Sequence, residues 1–393
     1  MTGNSLGVAV IGYGWMGRLH AQAYLRLRHH YPHLPAARLI GVADPEPDRR
    51  AEAVRRFGFE RSVADWRELL DEPAVAAVSV TAPNHWHREI ATAAAAAGRH
   101  VWVEKPVGLT AADALAVARA VRDAGVQSCV GFNYRNAPAI QQARELIAGG
   151  SLGTVTHARF RLFSDYAGHP QGALSWRFER AQGGTGVLGD LASHGVDLVR
   201  YLVGDVDEVI ADTAVFIRRR PRPAGVGSHY AIAEGDRTGD VENEDYVCSM
   251  LRTATGARVV LEASRVAVGD QNNYGLEIHA TKGLVRWDFR RMGELEVCAG
   301  DGYASQPVTT VFVGPGHGDY AAFQPGAGLA MSYDDLKVIE AAALFASIAD
   351  GKPHGATVED AAASARVLEA MTQSARTGRW TPVGSFPAGS PEG

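Results

Sequence analysis

A glycine-rich turn stands directly after the first apolar run of this chain. Residues 8–11 read Val-Ala-Val-Ile, and Gly12, Gly14 and Gly17 follow them in a G-x-G-x-x-G pattern before a helical segment. In a strand–turn–helix unit, the first glycine permits a tight turn, the second lets the backbone approach a phosphate, and the third allows close helix–strand packing. The context predicts a Rossmann-type turn that holds the pyrophosphate of a dinucleotide at a helix N-terminus.

The first third of the chain alternates short apolar runs with helical patterns. The predicted strands cover residues 8–11, 39–44, 75–81, 101–103 and 126–132. The predicted helices cover residues 16–28, 47–57, 88–97 and 110–124. This alternation indicates βαβ units and a parallel sheet, with ligands at the carboxyl ends of the strands. We predict a Rossmann dinucleotide-binding domain over residues 1–136.

The pattern changes in the remainder of the chain, where strand-like runs follow one another without helices between them. These runs cover residues 208–217, 245–252, 258–265, 276–280 and 284–289, and helical patterns cover 140–148, 333–349 and 357–375. Successive strands favour antiparallel pairing. We predict an α+β domain over residues 137–393 with a large, mainly antiparallel open sheet, within an α/β chain overall. Residues 218–239 are expected to form a mobile loop, and residues 300–328 an irregular stretch.

Asp44 ends the second predicted strand, where the ribose of an adenosine would lie. A carboxylate there accepts hydrogen bonds from ribose hydroxyls and repels a 2′-phosphate, so the pattern favours NAD over NADP. The alternative is that Asp44 only begins the turn at Pro45, and Arg49 and Arg50 weaken the preference for NAD. Further cofactor contacts are predicted beside the same strand ends, at Trp15, Met16, Pro83, Asn84, His87, Glu104 and Lys105.

Two places carry side chains suited to catalysis. Lys105 stands just beyond a strand end, held in extended geometry by Pro106, although a solvated surface lysine is the alternative. Asp190 and His194 are four residues apart and would share one helix face, as an acid that orients a proton acceptor. They could equally be a surface pair or metal ligands. A metal would need more ligands than these two residues. The histidines of the His85-Trp86-His87 turn are the only further candidates in the sequence pattern, and we predict no metal.

Composition narrows the class of partner. The net charge is −5, the pI is about 6.3 and the three cysteines form no Cys-x-x-Cys pair. These values argue against nucleic acid as a partner and against a disulfide framework. Apolar runs are shorter than the ~20 residues that a membrane helix needs. We therefore expect a cytoplasmic protein that does not bind membranes.

Several of these motifs together resemble one enzyme family over nearly the whole chain. The motifs are Gly12-x-Gly14-x-x-Gly17, Glu104-Lys105-Pro106, Gly189-Asp190-x-x-x-His194, the segment 131–135 and Gly378-Arg379-Trp380. The combination resembles the Gfo/Idh/MocA oxidoreductases, which include glucose–fructose oxidoreductase and inositol dehydrogenase types. Within that family, Leu-Ser-Trp-Arg-Phe at 174–178 is most similar to levoglucosan dehydrogenase-like sugar 3-dehydrogenases.

The resemblance implies an NAD-dependent dehydrogenase that oxidises a secondary hydroxyl of a sugar, a sugar derivative or a cyclic polyol. It implies catalytic roles for Lys105, Asp190 and His194, and a homodimer or homotetramer. We add Tyr134, Trp176 and Arg177 as candidates to line the substrate site, although the last two could be core and surface residues. Three alternatives remain open: a redox-neutral NAD-dependent glycosidase, a non-catalytic NAD sensor, and an oxidoreductase for a glycoside or amino sugar of natural-product metabolism.

Overall fold

The N-terminal part of the chain forms a parallel sheet with helices on both sides. The computed structural model describes residues 5–223, 232–233 and 237–384. Within these residues the first sheet has the strand order β3-β2-β1-β4-β5-β6, with every pair parallel. Its strands are β1 (Ser5–Ile11), β2 (Ala36–Ala43), β3 (Arg61–Val63), β4 (Ala77–Val80), β5 (His100–Val103) and β6 (Ser128–Val130). The order reverses beside β1, so the glycine turn opens at the switch point where such sheets bind ligands.

Capping residues bound two of the helices of this part. The helices are α1 (Trp15–His30), α2 (Pro47–Phe57), α3 (Arg67–Leu70), α4 (Asn84–Ala96) and α5 (Ala111–Ala124). Thr110 caps α5 with its hydroxyl, and Gly58 and Gly125 end α2 and α5 in the left-handed conformation that glycine adopts without strain. The prediction missed β3 and α3, which span only three and four residues and are too short to show a period.

The second sheet is large, and one of its faces carries helices. Its order is β16-β15-β14-β13-β7-β12-β11-β8-β17 in the described residues, and only the β7–β12 pair is parallel. The strands are β7 (Val155–Phe163), β8 (Val206–Ala214), β11 (Tyr246–Thr253), β12 (Arg258–Ser264), β13 (Asn273–Ala280), β14 (Gly283–Asp288), β15 (Glu294–Ala299), β16 (Thr309–Phe312) and β17 (Thr381–Pro382). The α/β class with a mainly antiparallel open sheet is confirmed.

Two stretches differ from the prediction. Residues 218–239 contain β9 (Arg219–Pro221) and β10 (Thr238–Asp240), which pair antiparallel, while 224–231 and 234–236 lie outside the described residues. The guanidinium of Arg220 is buried and donates to the carbonyls of Ala167 and His169, which anchors β9. Within 300–328, β16 pairs with the edge of β15. Short edge strands with few buried side chains leave little trace in a sequence pattern.

The remaining helices connect the two sheets. They are α6 (Pro138–Ala148), α7 (Arg180–Gly183), α8 (Ser193–Leu202), α9 (Tyr333–Asp350) and α10 (Val358–Thr377). Side chains of α9, among them Leu344 and Phe345, are buried in one cluster with Val8 and Leu39 of the first sheet. The C-terminal helices therefore complete the N-terminal core, and the boundary at residue 136 stays a prediction. No helix in the described ranges is both long and apolar enough to cross a membrane.

Candidate active site

The glycine turn has the shape that a dinucleotide requires. Gly12 has φ +90°, and a Cβ there would lie 2.5 Å from the backbone nitrogen of Ala82. A Cβ on Gly17 would lie 2.2 Å from the carbonyl oxygen of Gly12, whereas a Cβ on Gly14 would meet no atom within 4 Å. The first and third glycines thus serve backbone packing, and the second leaves open space at the N-terminus of α1. These residues fit the pyrophosphate of NAD, which would lie over Gly14.

Asp44 lies at the end of β2, beside this turn. Its carboxylate accepts hydrogen bonds from the backbone N–H groups of Tyr13, at 2.8 Å, and Glu46, at 2.9 Å. Arg49 lies 3.6 Å from the same carboxylate. Asp44 therefore holds its own turn, as the alternative interpretation proposed, and each oxygen keeps a lone pair for a ribose hydroxyl. Its contact with the ribose remains a prediction.

Lys105 and Asp190 form the centre of the candidate site. Lys105 follows β5, its bond to Pro106 is cis, and its ammonium donates to the Asp190 carboxylate at 3.0 Å and to the Asp190 carbonyl at 2.6 Å. The Tyr166 hydroxyl donates to the other oxygen of the Asp190 carboxylate. The Arg177 guanidinium lies 3.6 Å from the carboxylate oxygen that Lys105 contacts. Although burial opposes ionisation, the charges of Lys105 and Arg177 hold the pKa of Asp190 well below its usual range. Asp190 is a half-buried anion shared by two cations.

The predicted pairing of Asp190 with His194 is not what the structure shows. Residues Leu188–Ala192 form a wide π-type turn before α8, so the four-residue spacing does not stack the two side chains as in an α-helix. In the described residues no hydrogen bond joins them, and Nδ1 of His194 is buried without a partner. Asp190 instead orients Lys105.

His194 lies in a mostly aromatic pocket. Its residue is 6% exposed, and its ring lies 4.6 Å from the ring of Tyr134 and 6.1 Å from that of Phe132. Burial, followed by the positive charge of Lys105, lowers the pKa of His194 well below its ordinary value of 6.5. The imidazole is therefore neutral at neutral pH and can accept a proton.

The lowered pKa of His194 predicts the pH range in which the enzymatic rate falls with acidification. A general base stops accepting protons when the pH falls through its pKa and the base becomes protonated. The acid limb of the kcat/KM profile should therefore lie below pH 6.5. We expect a pH profile of kcat/KM to stay flat from neutral pH down to that limb. An acid limb above pH 6.5 would contradict a neutral, desolvated His194.

Two residues predicted to contact the cofactor face elsewhere. His87 is buried in the first turn of α4. Its Nδ1 lies 2.7 Å from the carbonyl oxygen of Pro106, and its Nε2 lies 2.7 Å from the carbonyl oxygen of Ala82. It ties the turn after β4 to the turn after β5. The Glu104 carboxylate turns inward to Lys337 and His20. Both side chains point into the core, so a contact with the cofactor would involve the backbone of these residues, and that contact stays a prediction.

The other predicted residues lie around the same cleft. Pro83 precedes α4, and Asn84 donates to the carbonyl of Gly183 at 3.1 Å, which joins the two parts of the chain. Trp15 is exposed and stacks on Tyr333, while Met16 is half-buried. Trp176 lies under the guanidinium of Arg177 at 4.5 Å, and Tyr134 is buried against His194. Their contacts with cofactor or substrate remain predictions.

Tyr166 is a site residue that the sequence analysis did not identify. It follows β7 and reaches Asp190 from 24 positions earlier in the chain. No spacing or motif marks it, since the contact exists only because β7 and the π-type turn meet in the folded chain. In the described residues no group of three or more His, Cys, Asp or Glu side chains is arranged to hold a metal ion.

Comparison with known proteins identifies the family to which the chain belongs. Residues 6–132 match the model of an oxidoreductase family with an NAD-binding Rossmann fold, and residues 140–286 match the GFO/IDH/MocA C-terminal domain. Levoglucosan dehydrogenase of Pseudarthrobacter phenanthrenivorans is 37% identical over 96% of this chain and 98% of its own length. Inositol 2-dehydrogenase of Rhizobium meliloti is 26% identical over 77% of this chain and 82% of its own.

Solved structures agree over the whole fold. A levoglucosan dehydrogenase in complex with NADH and levoglucosan has a TM-score of 0.91 at 35% identity, covering 97% of this chain and 100% of that one. The similarity extends over nearly the whole of both chains. The chain is therefore a member of the Gfo/Idh/MocA family of NAD-binding oxidoreductases.

Proposed function

We propose that this enzyme oxidises a secondary hydroxyl of a pyranose, a sugar derivative or a cyclic polyol to a ketone, with Lys105, Asp190 and His194 as its catalytic groups. The observation that supports these roles best is that a half-buried ammonium held by Asp190 and a buried, neutral imidazole occur together in a chain with a nucleotide-binding turn. Relatives named for levoglucosan and inositol support a cyclic polyol as the substrate class.

The side chains divide the proton chemistry between them. NAD, when bound, supplies the acceptor for the hydride that leaves the carbinol carbon. His194 accepts the hydroxyl proton, because its lowered pKa keeps a lone pair available at neutral pH. Lys105 uses two N–H groups for Asp190 and directs the third to the substrate oxygen, where its charge stabilises the developing alkoxide. Asp190, held by Tyr166, fixes the ammonium in place.

Trp176 and Arg177 would contact the ring of the substrate. The guanidinium lies on the indole face at 4.5 Å, and neither side chain is fully buried. Aromatic faces suit the C–H edges of a sugar ring, while guanidinium N–H groups suit its hydroxyl oxygens. Because Arg177 also contacts Asp190, a hydroxyl beside the reacting carbon would lie within reach of both groups.

The experiment that tests this function measures NADH absorbance with NAD or NADP and a substrate panel. The panel contains levoglucosan, myo-inositol, glucose and several glycosides and amino sugars. NADH formation with a cyclic polyol supports the proposal, and turnover with NAD above that with NADP supports the role of Asp44. Release of reducing sugar without net NADH would favour a glycosidase instead. Tight NAD binding without either reaction would overturn the proposal.

A second copy of the chain is proposed to cover the open face of the large sheet. Ile210, Met250 and Val260 are cross-strand neighbours on that face, and the last two side chains are exposed. Exposed apolar side chains grouped on a sheet favour association. Light scattering should show a homodimer or homotetramer, and Met250→Glu with Val260→Lys should shift the mass toward the monomer. A wild-type monomer at micromolar concentration would contradict this proposal.

A further inference from the structure

A buried charge cluster lies directly behind the candidate site. Lys337 of α9 is 1% exposed, and its ammonium donates to Glu104 at 2.5 Å and to Glu340 at 2.7 Å. His20 of α1 lies 3.0 Å from the same Glu104 oxygen and stacks on Trp102. A charge is costly to bury without a partner, so each of these groups depends on the others for its position.

Glu104 connects this cluster to two parts of the site. It directly precedes Lys105, so the orientation of its carboxylate determines how the end of β5 presents the catalytic ammonium. The carboxylate also lies against Gly131, where a Cβ would be 2.4 Å from its oxygen. Gly131 begins the segment that carries Phe132 and Tyr134, whose rings contact His194.

We propose that Lys337 is a positioning residue of the active site, which acts through Glu104 on both Lys105 and His194. The inference rests on the proposed function for its kinetic meaning. One end of the ion pair belongs to α9, far along the chain, and the other to the strand end that bears the lysine. The Lys337–Glu104 pair therefore sets the distance between α9 and the end of β5. It also contributes to the electric field at the proton acceptor, His194.

The charges around His194 make this role measurable. The groups that face it are Lys105 and Glu104 at the end of β5, Lys337 on α9, Asp190 on the π-type turn and the phenol of Tyr134. Burial is the main cause of the lowered His194 pKa, Lys105 and Lys337 lower it further, and Glu104 and Asp190 oppose them. The Lys337 charge also holds the pKa of Glu104 far below its usual range, although burial acts against this. Removing the charge of either Lys337 or Glu104 should therefore leave the effect of the other charge on the His194 pKa unopposed.

The first test measures the protonation of His194 by NMR in histidine-labelled protein without substrate, with His194→Gln to assign its signal. We expect Lys337→Met to raise the titration midpoint and Glu104→Gln to lower it, each by roughly half a pH unit or more. The double variant, which lacks both charges, should lie between the two. Loss of structure alone would move both single variants in the same direction, so opposite shifts support the proposal. Equal or absent shifts would overturn it.

Kinetics supply the second readout. Lys337→Met should lower kcat about 10- to 100-fold, because small displacements of catalytic groups are that costly, while NADH affinity stays within about twofold. If the single variants do not fold, Gly131→Ala keeps both charges and displaces only the Glu104 carboxylate, and it should show the same loss of kcat. Unchanged kcat in a folded Gly131→Ala enzyme would overturn the link through Glu104.

The matched control lies on the same helix interface. Arg26→Met removes the ion pair between α1 and Asp335 of α9, which weakens the docking of α9 without touching Glu104. It should lower the melting temperature while the His194 titration stays in place. Because the NMR test needs no substrate, it remains decisive even if no sugar of the panel is oxidised, and that outcome would count against the proposed function alone.

Discussion

We expect His194→Ala to lower kcat by about 10²- to 10⁴-fold, the usual contribution of a positioned general base. The imidazole is buried, and its lowered pKa leaves it neutral, so its loss removes the proton acceptor without removing a charge. NAD should still bind, because the glycine turn lies on another part of the cleft. Steady-state kinetics with NADH absorbance and a separate fluorescence titration of NADH measure the two effects.

Lys105→Met should lower kcat to a similar degree, because the alkoxide loses its ammonium and Asp190 loses its principal cation. The two residues act as a unit, so the double variant should be hardly slower than either single one. His354→Ala is a suitable control, since the ring of this exposed histidine pairs with Asp350 at the surface. Wild-type turnover in both single variants would remove Lys105 and His194 from the mechanism.

Gly14→Ala should weaken NAD binding by at least about 100-fold while leaving the fold intact. The added methyl group would keep the pyrophosphate away from the backbone N–H groups at the N-terminus of α1. The structure has room for the extra methyl group, since no atom lies within 4 Å of the added Cβ. The space it enters is the one that the pyrophosphate would occupy. Isothermal titration with NAD and a thermal melt without NAD separate binding from stability.

Gly17→Ala provides the contrasting variant. Its Cβ would lie 2.2 Å from the carbonyl oxygen of Gly12, so the helix must move away from the strand and the melting temperature should fall. The two alanine variants should therefore differ in thermal stability and agree in weak NAD binding. If Gly14→Ala binds NAD as wild type does, the cofactor lies elsewhere and the turn has only a structural role.

Local chemistry made much of the fold predictable. The bounds of α2 agree with the prediction, and those of α5 differ by one residue, because Thr110, Gly58 and Gly125 are strong caps. The glycine turn was recognisable because its three glycines lie within six positions, at the junction of an apolar strand and a helix. Edge elements such as β3 and β16 were missed because their pairing partner, and not their own pattern, stabilises them.

The site was predictable as a set of residues and less so as a set of contacts. Lys105, Asp190 and His194 stand out in the sequence, but the π-type turn directs Asp190 toward Lys105 and away from His194. Tyr166 and Lys337 were not identified because the site residues that they contact, Asp190 and Glu104, are distant from them in the chain. A lysine and a glutamate within the apolar stretch of α9 are the one signal that could have revealed a buried ion pair.

The packing of α9 against the nucleotide-binding sheet bears on the order in which the molecule matures during synthesis. The strands near the N-terminus leave the ribosome first, yet Leu344 and Phe345 belong to their core. Domains generally fold as units once their core residues are available. The apolar surface of the nascent nucleotide-binding region therefore stays uncovered until α9 has been synthesised. Chaperone binding during translation would fill this interval.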